Sequence, residues 1–130
     1  MKIFGIGTDI INIKRMKNIL KKNGKEFKNK YFSNKEINYC EKKKNPSAFY
    51  AKRFAAKEAL TKALGTGIGK GISIKNIEIF NDSNGKPFIK LKGKVDEYLK
   101  SKINKKKYNI YLSLSDDEPW AQATVVISYN

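Results

Sequence analysis

The 130-residue sequence contains no histidine and only one cysteine, Cys40. It therefore cannot form an internal disulfide, and metal sites built from histidine and paired cysteines are excluded. Any bound metal should instead be a hard cation with oxygen ligands. The sequence also has no apolar run of about 18 residues and no signal-peptide pattern at its start, so we expect one soluble, cytoplasmic domain over residues 1–130.

Acidic residues are scarce, since 12 Asp and Glu stand against 28 Lys and Arg and give a formal net charge of +16. A field of this sign attracts nucleic acids, anionic lipids or acidic proteins, but it does not choose among them. Arginine is scarce as well and occurs only at Arg15 and Arg53. Because a guanidinium can bind carboxylates or phosphates through two parallel hydrogen bonds, these two positions are candidates for anion recognition.

The first predicted element is a strand over residues 2–11 with two different faces. One face consists of Phe4, Ile6, Thr8 and Ile10. We expect this more apolar face to be the one that lies on the core. The other face carries Gly5, Gly7 and Asp9, and its missing side chains leave room for a ligand or another backbone to come close.

Three helices are predicted in the first half of the chain. Helical spacing of apolar residues among many lysines indicates a basic amphipathic helix over residues 12–22, which ends before Asn23. Ser33 and Glu36 have the spacing of a capping box and begin a second helix. The third and longest helix, over residues 47–64, is apolar almost all the way round, so we expect it to be largely buried.

The second half of the chain is richer in strands. Predicted strands cover residues 74–80, 88–91, 108–115 and 121–129, and a helix covers residues 94–103. Asn84 and Gly85 are typical of a hairpin turn between the first two of these strands. We expect an α+β fold in which the long central helix packs on an antiparallel sheet.

Glu58 and Lys62 share a narrow polar arc on the otherwise apolar central helix. They could form a cleft in which the carboxylate binds a metal and the ammonium binds a phosphate. Spacing alone favours an ordinary helix pair four residues apart, contributing about 0.3–0.5 kcal/mol. Asp9 is similarly ambiguous, since an aspartate between a strand and a helix often serves as a helix cap.

The combination of these residues favours a functional interpretation. Magnesium keeps several waters and takes only one or two protein carboxylates, so Asp9 and Glu58 are a suitable pair of ligands. A magnesium ion beside Lys62 would supply the charge stabilisation that phosphoryl transfer needs. The glycine-rich run over residues 65–69 follows a helix instead of preceding one, so it is not a P-loop; it is a helix stop or a backbone contact to a ligand.

Two separated segments resemble a known family. The sequence GIGTDI at residues 5–10, with Lys14-Arg15 after it, and RFAAKEA at residues 53–59, with Lys62 and the glycine run after it, are similar to holo-acyl-carrier-protein synthases. These are the small bacterial phosphopantetheinyl transferases, and the resemblance spans residues 2–128. It implies the 4'-phosphopantetheinyl transferase fold, a homotrimer, and Mg2+-dependent transfer of 4'-phosphopantetheine from coenzyme A to a serine of apo-acyl carrier protein. Adenosine 3',5'-bisphosphate would be released, and the product would support fatty acid biosynthesis.

The resemblance also implies roles for individual residues. Asp9 and Glu58 would bind Mg2+, Glu58 or a metal-bound water would help deprotonate the acceptor serine, and Lys62 would stabilise the phosphate under attack. Arg15 would pair with acidic side chains of the carrier. Residues near the 3'-phosphate would be Lys44 and Arg53, and segments lining the adenine nucleotide would include Gly65, Thr66, Gly67, Asn84, Gly85 and Pro87. Each site would be built across a subunit boundary.

One position departs from the family pattern. Where the family has Ser-His in its penultimate strand, this chain has Ser115-Asp116, which puts an anion where a histidine would face the 3'-phosphate and is expected to weaken coenzyme A binding. Asp116 would also suit a relative that lost activity and serves as a trimeric scaffold. A further alternative is a non-catalytic nucleic-acid-binding domain, indicated by the sequence pI of about 9.9 and 12% aromatic residues, with no use for Glu58 beside Lys62.

Overall fold

Four α-helices and five strands make up the fold of the computed structural model, which describes residues 1–130. The elements are β1 (Lys2–Asn12), α1 (Ile13–Tyr31), α2 (Asn34–Glu41), α3 (Pro46–Leu64), a short 3-10 helix (Ile74–Asn76), β2 (Ile77–Asn81), β3 (Pro87–Leu91), α4 (Gly93–Lys102), β4 (Tyr108–Asp117) and β5 (Trp120–Tyr129). The strands form one antiparallel sheet in the order β1-β5-β4 and a separate antiparallel β2-β3 hairpin. The predicted α+β class, with an antiparallel sheet on a long helix, is confirmed.

Helix α3 lies at the centre of the molecule and packs against β1 and β5. Pro46 starts the helix, where its missing N–H costs nothing, and Gly65 ends it in the left-handed conformation with φ of 81°. Thirteen of its 19 residues are buried, as predicted from its apolar circumference. Six of the buried residues are alanines, and the backbones of Ala59 and Ala63 contact β1 closely. No helix of the chain is both long and apolar enough to cross a bilayer.

Strand β1 meets α3 through its glycines, and this corrects the predicted orientation of the strand. A Cβ on Gly5 would lie 1.9 Å from the carbonyl oxygen of Ala63, and a Cβ on Gly7 would lie 1.9 Å from that of Ala59. The glycine face therefore packs on the helix backbone. The face expected to lie on the core points outward instead, with Ile6 64% exposed. Alternation revealed two faces, but only the close approach of the helix decides which one is buried.

The outward face of the three-stranded sheet carries apolar side chains that no element of the chain covers. Ile6 pairs with Val126, which in turn pairs with Tyr111, so these side chains share one face. Ile10 lies four residues beyond Ile6 on the same strand and is 61% exposed, while Tyr111 is 53% exposed. We call this the open sheet face.

Helix α1 is longer than predicted. The expected end before Asn23 is wrong, because the chain kinks there, with φ of −136°, and then continues in helical conformation to Tyr31. The second half is held by aromatic contacts with α3: the Phe27 and Tyr31 rings lie 5.7 and 5.5 Å from that of Phe54. Tertiary packing thus restores a helix that the local Asn-Gly sequence interrupts.

The start of α1 removes one interpretation of Asp9. The side chain of Asn12 caps the helix by accepting from the backbone N–H groups of Lys14 and Arg15, at 2.8 and 3.3 Å. Asp9 lies three residues earlier, within β1. It is therefore not the helix cap.

The remaining local predictions hold within a few residues. The capping box is present, since Ser33 Oγ accepts from Glu36 N and Glu36 Oε1 accepts from Ser33 N. The strand predicted from residue 74 begins only at residue 77, after the short 3-10 helix. The predicted turn at Asn84-Gly85 joins β2 to β3.

Candidate active site

The three residues predicted to carry the chemistry lie together where β1 crosses α3. The ammonium of Lys62 lies 3.1 Å from Asp9 Oδ1 and donates a second hydrogen bond to the carbonyl of Thr8 at 2.9 Å. Asp9 and Glu58 both line one cavity of about 420 Å³. The glycines of β1 let the strand approach α3 closely, and Asp9 can therefore reach Lys62.

The ordinary helix-pair interpretation of Glu58 and Lys62 is not what the structure contains. Lys62 pairs with Asp9 across two elements, while the Glu58 carboxylate takes part in none of the six ion pairs of the chain. Burial raises the pKa of the Glu58 carboxyl, and the neighbouring Asp9 carboxylate raises it further, against the opposing effect of Lys62. Glu58 is thus a half-buried carboxylate that is repelled by Asp9 and has no ion-pair partner.

The donor set fits a magnesium ion. Asp9 and Glu58 offer hard carboxylate oxygens on adjacent walls of the cavity, and a divalent cation between them would remove the repulsion that raises the pKa of Glu58. The chain has no group of three or more His, Cys, Asp or Glu side chains placed to hold a metal. A cation at this position would therefore complete its shell with water or ligand oxygens, which is the usual habit of Mg2+.

The cavity beside the carboxylates is mostly apolar. Its apolar lining comes from Ile10, Ile11, Met16, Ile19, Phe27, Phe54 and Trp120. Asn12 and Arg15, at the start of α1, complete the polar side together with the two carboxylates. Arg15 is exposed and makes no ion pair, so a cation of the basic helix stands at the rim of the same cavity.

A second cleft, of about 430 Å³, lies between α2, α3 and the β2-β3 hairpin. Its lining includes Lys35, Tyr39, Lys43, Arg53, Phe80, Asn81 and Gly85. The guanidinium of Arg53 is 4.0 Å from the centre of the Tyr39 ring and donates to Asn81 Oδ1 at 2.6 Å. Arg53 is only 3% exposed, and its buried Nε has no hydrogen-bond partner in the chain.

The residues predicted near the nucleotide fall into two groups within one chain. Asn84 and Pro87 lie in or beside the hairpin turn, whose Gly85 borders the second cleft with Arg53. Gly65 lies at the other end of α3, twelve helical residues from Arg53 or roughly 18 Å along the axis. Thr66 and Gly67 belong to the same far group, where the Thr66 hydroxyl donates to the Gly67 carbonyl at 2.7 Å. A single chain does not bring the two groups together.

The comparison with known proteins covers nearly the whole chain. Residues 5–123 match the model of the 4'-phosphopantetheinyl transferase superfamily. The chain belongs to this superfamily. A holo-[acyl-carrier-protein] synthase of Wolbachia pipientis subsp. Culex pipiens is 46% identical, over 96% of this chain and 97% of the relative.

Two solved structures show the same superfamily architecture. The crystal structure of holo-[acyl-carrier-protein] synthase from Neisseria meningitidis has a TM-score of 0.87 and 37% identity, over 97% of this chain and 98% of that one. The synthase from Bacillus anthracis, solved in complex with CoA (3',5'-ADP), has a TM-score of 0.80 and 34% identity over 100% of both chains. The superfamily match includes both segments, residues 5–10 and 53–59, that carried the resemblance in the sequence.

Sequence reasoning missed some basic and aromatic side chains of this superfamily member. Lys35, Tyr39 and Lys43 line the Arg53 cleft, whereas the predicted Lys44 is exposed and does not line it. Their spacing of four residues would have revealed them as one face of α2 and its C-terminal turn. The lysine run at residues 42–44 hid which of its members faces the cleft.

The departure at Asp116 has a counterpart within the chain. Lys52 Nζ lies 3.3 Å from Asp116 Oδ1 and 4.2 Å from the centre of the Phe49 ring. The lysine side chain is only 18% exposed. The negative charge at residue 116 is therefore partly neutralised by an internal cation.

Proposed function

We propose that this chain transfers the 4'-phosphopantetheine group of coenzyme A to a serine of apo-acyl carrier protein, in the cytoplasm and in support of fatty acid biosynthesis. The released product is adenosine 3',5'-bisphosphate. The meeting of Asp9, Glu58 and Lys62 where β1 crosses α3, in a fold shared with synthases of that name, carries the proposal. The related Bacillus anthracis protein was solved with CoA (3',5'-ADP), which supports the substrate.

Asp9 and Glu58 would hold Mg2+, which supplies charge stabilisation to the pyrophosphate when bound. Lys62 orients Asp9 and keeps a proton for a phosphate oxygen, because an ammonium has three donors and two are used by Asp9 and Thr8. Glu58, or a water bound to the metal, would accept the proton of the acceptor serine.

The carrier protein is proposed to dock on α1. The family resemblance implies that Arg15 pairs with acidic side chains of the carrier protein. Arg15 lies on α1, at the rim of the cavity that Asp9 and Glu58 line. Other exposed cations of the same helix are Lys14, Lys17, Lys21 and Lys22. A serine guided by these charges would arrive beside the half-buried carboxylate.

The adenine nucleotide is proposed to bind the second set of predicted residues. Arg53 and Lys44 would attract the 3'-phosphate, and Gly65, Thr66 and Gly67 would contact the nucleotide through their backbone. Asn84, Gly85 and Pro87 would contribute the hairpin side. The basic lining of the second cleft supports this assignment.

A homotrimer is proposed to complete each site. The two groups of nucleotide residues are separated along α3, so a neighbouring copy would supply the missing half. The open sheet face, with Ile6 and Ile10 more than half exposed, is the apolar surface available for such packing. Ile6→Lys is therefore expected to shift the sedimentation coefficient toward a monomer and to lower activity. Ser101→Lys, an equal charge change on exposed α4, should do neither; a monomeric, fully active wild type would contradict the trimer.

The decisive test of the function is intact-mass measurement of apo-acyl carrier protein after incubation with coenzyme A and Mg2+. We expect the wild type to add one phosphopantetheine mass and Glu58→Ala to add none in the same time. Glu97→Ala removes an exposed carboxylate on α4 and should keep wild-type activity. Full activity of Glu58→Ala would remove the metal and base assignments, and an unmodified carrier together with salt-dependent RNA binding would favour the nucleic-acid alternative.

A further inference from the structure

The residue before Glu58 forms a second, entirely buried charge cluster. Lys57 and Glu36 are both 0% exposed in their side chains and pair at 2.8 Å. Removing either partner from such a pair leaves an uncompensated buried charge, so the arrangement is costly to break. It lies outside the cavity of Asp9 and Glu58, whose lining does not include it.

All three donors of the Lys57 ammonium are used inside the protein. Nζ donates to Glu36 Oε1 at 2.8 Å, to the carbonyl of Ile77 at 2.6 Å and to that of Ile74 at 3.2 Å. A lysine without a free proton and without solvent exposure cannot receive a phosphate. Although Lys57 is adjacent in sequence to Glu58, it is therefore not a ligand for substrate.

The contacts of Lys57 and Glu36 converge on one segment, the entry into β2. Glu36 Oε2 accepts from the backbone N–H of Ile79 at 3.1 Å, so the pair holds this strand by both its carbonyl and its amide groups. Ser33 adds a third link through its hydroxyl, which donates to Glu78 at 2.6 Å. Side chains of α2 and α3 thus fix the height and orientation of β2.

This anchor also closes the glycine-rich loop. The chain leaves α3 at Gly65, passes through residues of positive φ, and returns to the same helix where Ile74 meets Lys57. One helical turn earlier, Arg53 donates to Asn81 at the far end of β2. Lys57 and Arg53 therefore hold the two ends of β2. These two side chains of α3 fix the positions of the glycine-rich loop and the β2-β3 hairpin.

We propose that Lys57 is a positioning residue that, through its pair with Glu36, fixes the glycine loop (residues 65–73) and the β2-β3 hairpin relative to the Glu58 carboxylate. This inference rests on the proposed function, in which those two segments contact the nucleotide of coenzyme A. Its consequence is specific: disturbing Lys57 loosens the hold on coenzyme A, while the carrier site on α1 and the reacting groups stay in place.

The test compares steady-state kinetics of Lys57→Met and Lys75→Met in the carrier-modification assay. For Lys57→Met we expect the KM for coenzyme A to rise about tenfold, because small misplacements of binding segments cost one to two orders of magnitude. The kcat should fall less than about threefold and the KM for the carrier should not change. Lys75→Met removes an exposed lysine from the adjoining 3-10 helix and should leave all three values unchanged.

Amide hydrogen exchange separates positioning from general instability. In Lys57→Met, exchange should accelerate over residues 65–91 and remain as in the wild type in the β1-β5-β4 sheet. Glu36→Gln, which keeps Lys57 in place, serves as a second variant should Lys57→Met not fold, and it should shift the KM for coenzyme A in the same direction by a smaller factor. The assays are run below the unfolding temperature of each variant.

Three outcomes would overturn the inference. A tenfold loss in kcat of Lys57→Met with an unchanged KM for coenzyme A would make Lys57 a catalytic group. Wild-type kinetics in the folded variant would show that the Lys57–Glu36 pair does not affect coenzyme A binding. Uniformly faster exchange across the chain would also reject positioning. A wild-type protein that modifies no carrier would instead sink the proposed function, so the two failures are distinguishable.

Discussion

Two neighbouring residues of one helix, Lys57 and Glu58, show opposite uses of a charge. Lys57 is fully buried and every donor of its ammonium has a partner in the chain. Glu58 is half-buried, faces a cavity and has no ionic partner. The comparison shows that a buried charge whose partners all lie within the chain stabilises the fold. A charge that faces a cavity and has no ionic partner can instead bind a ligand.

The difference arises from what packs on each side of α3. Glycines in β1 let the strand lie directly on α3, so Asp9 comes near the half-buried Glu58 and raises its pKa. On the other side, α2, the short 3-10 helix and β2 enclose Lys57 and supply a carboxylate and two carbonyls. Charge type alone would not have separated the two environments.

The largest effect should come from breaking the buried side of the comparison. Glu36→Ala removes the only carboxylate paired with Lys57 and two acceptors of backbone N–H groups, and we expect it to lower the free energy of unfolding by about 3–5 kcal/mol. Urea unfolding followed by circular dichroism measures this. Glu97→Ala, on the exposed face of α4, should change it by less than about 0.5 kcal/mol. Equal stability of the two variants would mean that the buried pair contributes nothing to the fold.

Substitutions of the residues that line the cavity should lower activity strongly and stability only slightly. Asp9→Asn removes a proposed magnesium ligand while its partner Lys62 remains 53% exposed to solvent. We expect the rate of carrier modification to fall by about 100-fold, comparable to losing one preorganised charge-stabilising group, with less than about 1 kcal/mol lost in stability. Rates at saturating Mg2+ and thermal melts provide both values. A large drop in melting temperature with retained activity would mean that Asp9 stabilises the fold and does not act in catalysis.

The rim of the cavity should show a smaller effect that depends on the partner. Arg15→Glu reverses a charge at the entrance without touching the carboxylates, so the KM for the carrier should rise about tenfold and that for coenzyme A should hardly change. The effect should shrink at high salt, because exposed charges are screened. Lys102→Glu makes the same charge change on α4 and controls for net charge. Equal increases in both KM values would argue against docking on α1.

The smallest expected effect concerns acid stability. Burial opposes ionisation of Glu78, but hydrogen bonds from Lys92 and Ser33 outweigh it and hold the pKa of this carboxyl below its ordinary value. A depressed folded pKa adds stability that is present above the unfolded value of about 4.3 and is lost as the pH falls through the lower folded value. Glu78→Gln should therefore be less stable than the wild type at pH 7 and lose less between pH 5 and about 3. Parallel pH profiles in urea unfolding would contradict this.

Much of the local structure could be predicted because it depends on short-range signals. The capping box at Ser33, the stop at Gly65 and the hairpin turn at Gly85 each follow from the chemistry of a few adjacent residues. The end of α1 could not be predicted in this way. Its continuation beyond Asn23 depends on Phe27 meeting an aromatic ring of α3, and a local helix scale contains no term for that contact.

The sequence by itself determined the class of the fold, the burial of the central helix and the three candidate residues Asp9, Glu58 and Lys62, because residue type, spacing and family motifs are written along the chain. Only the tertiary structure decided that β1 turns its glycine face inward and leaves Ile6 outside. It alone also decided that Lys62 pairs with Asp9 and that Lys57 is sealed beside Glu36. The physical reason is that burial and pairing depend on what approaches from distant parts of the chain, and an alternating or helical pattern names the faces of an element without naming their neighbours.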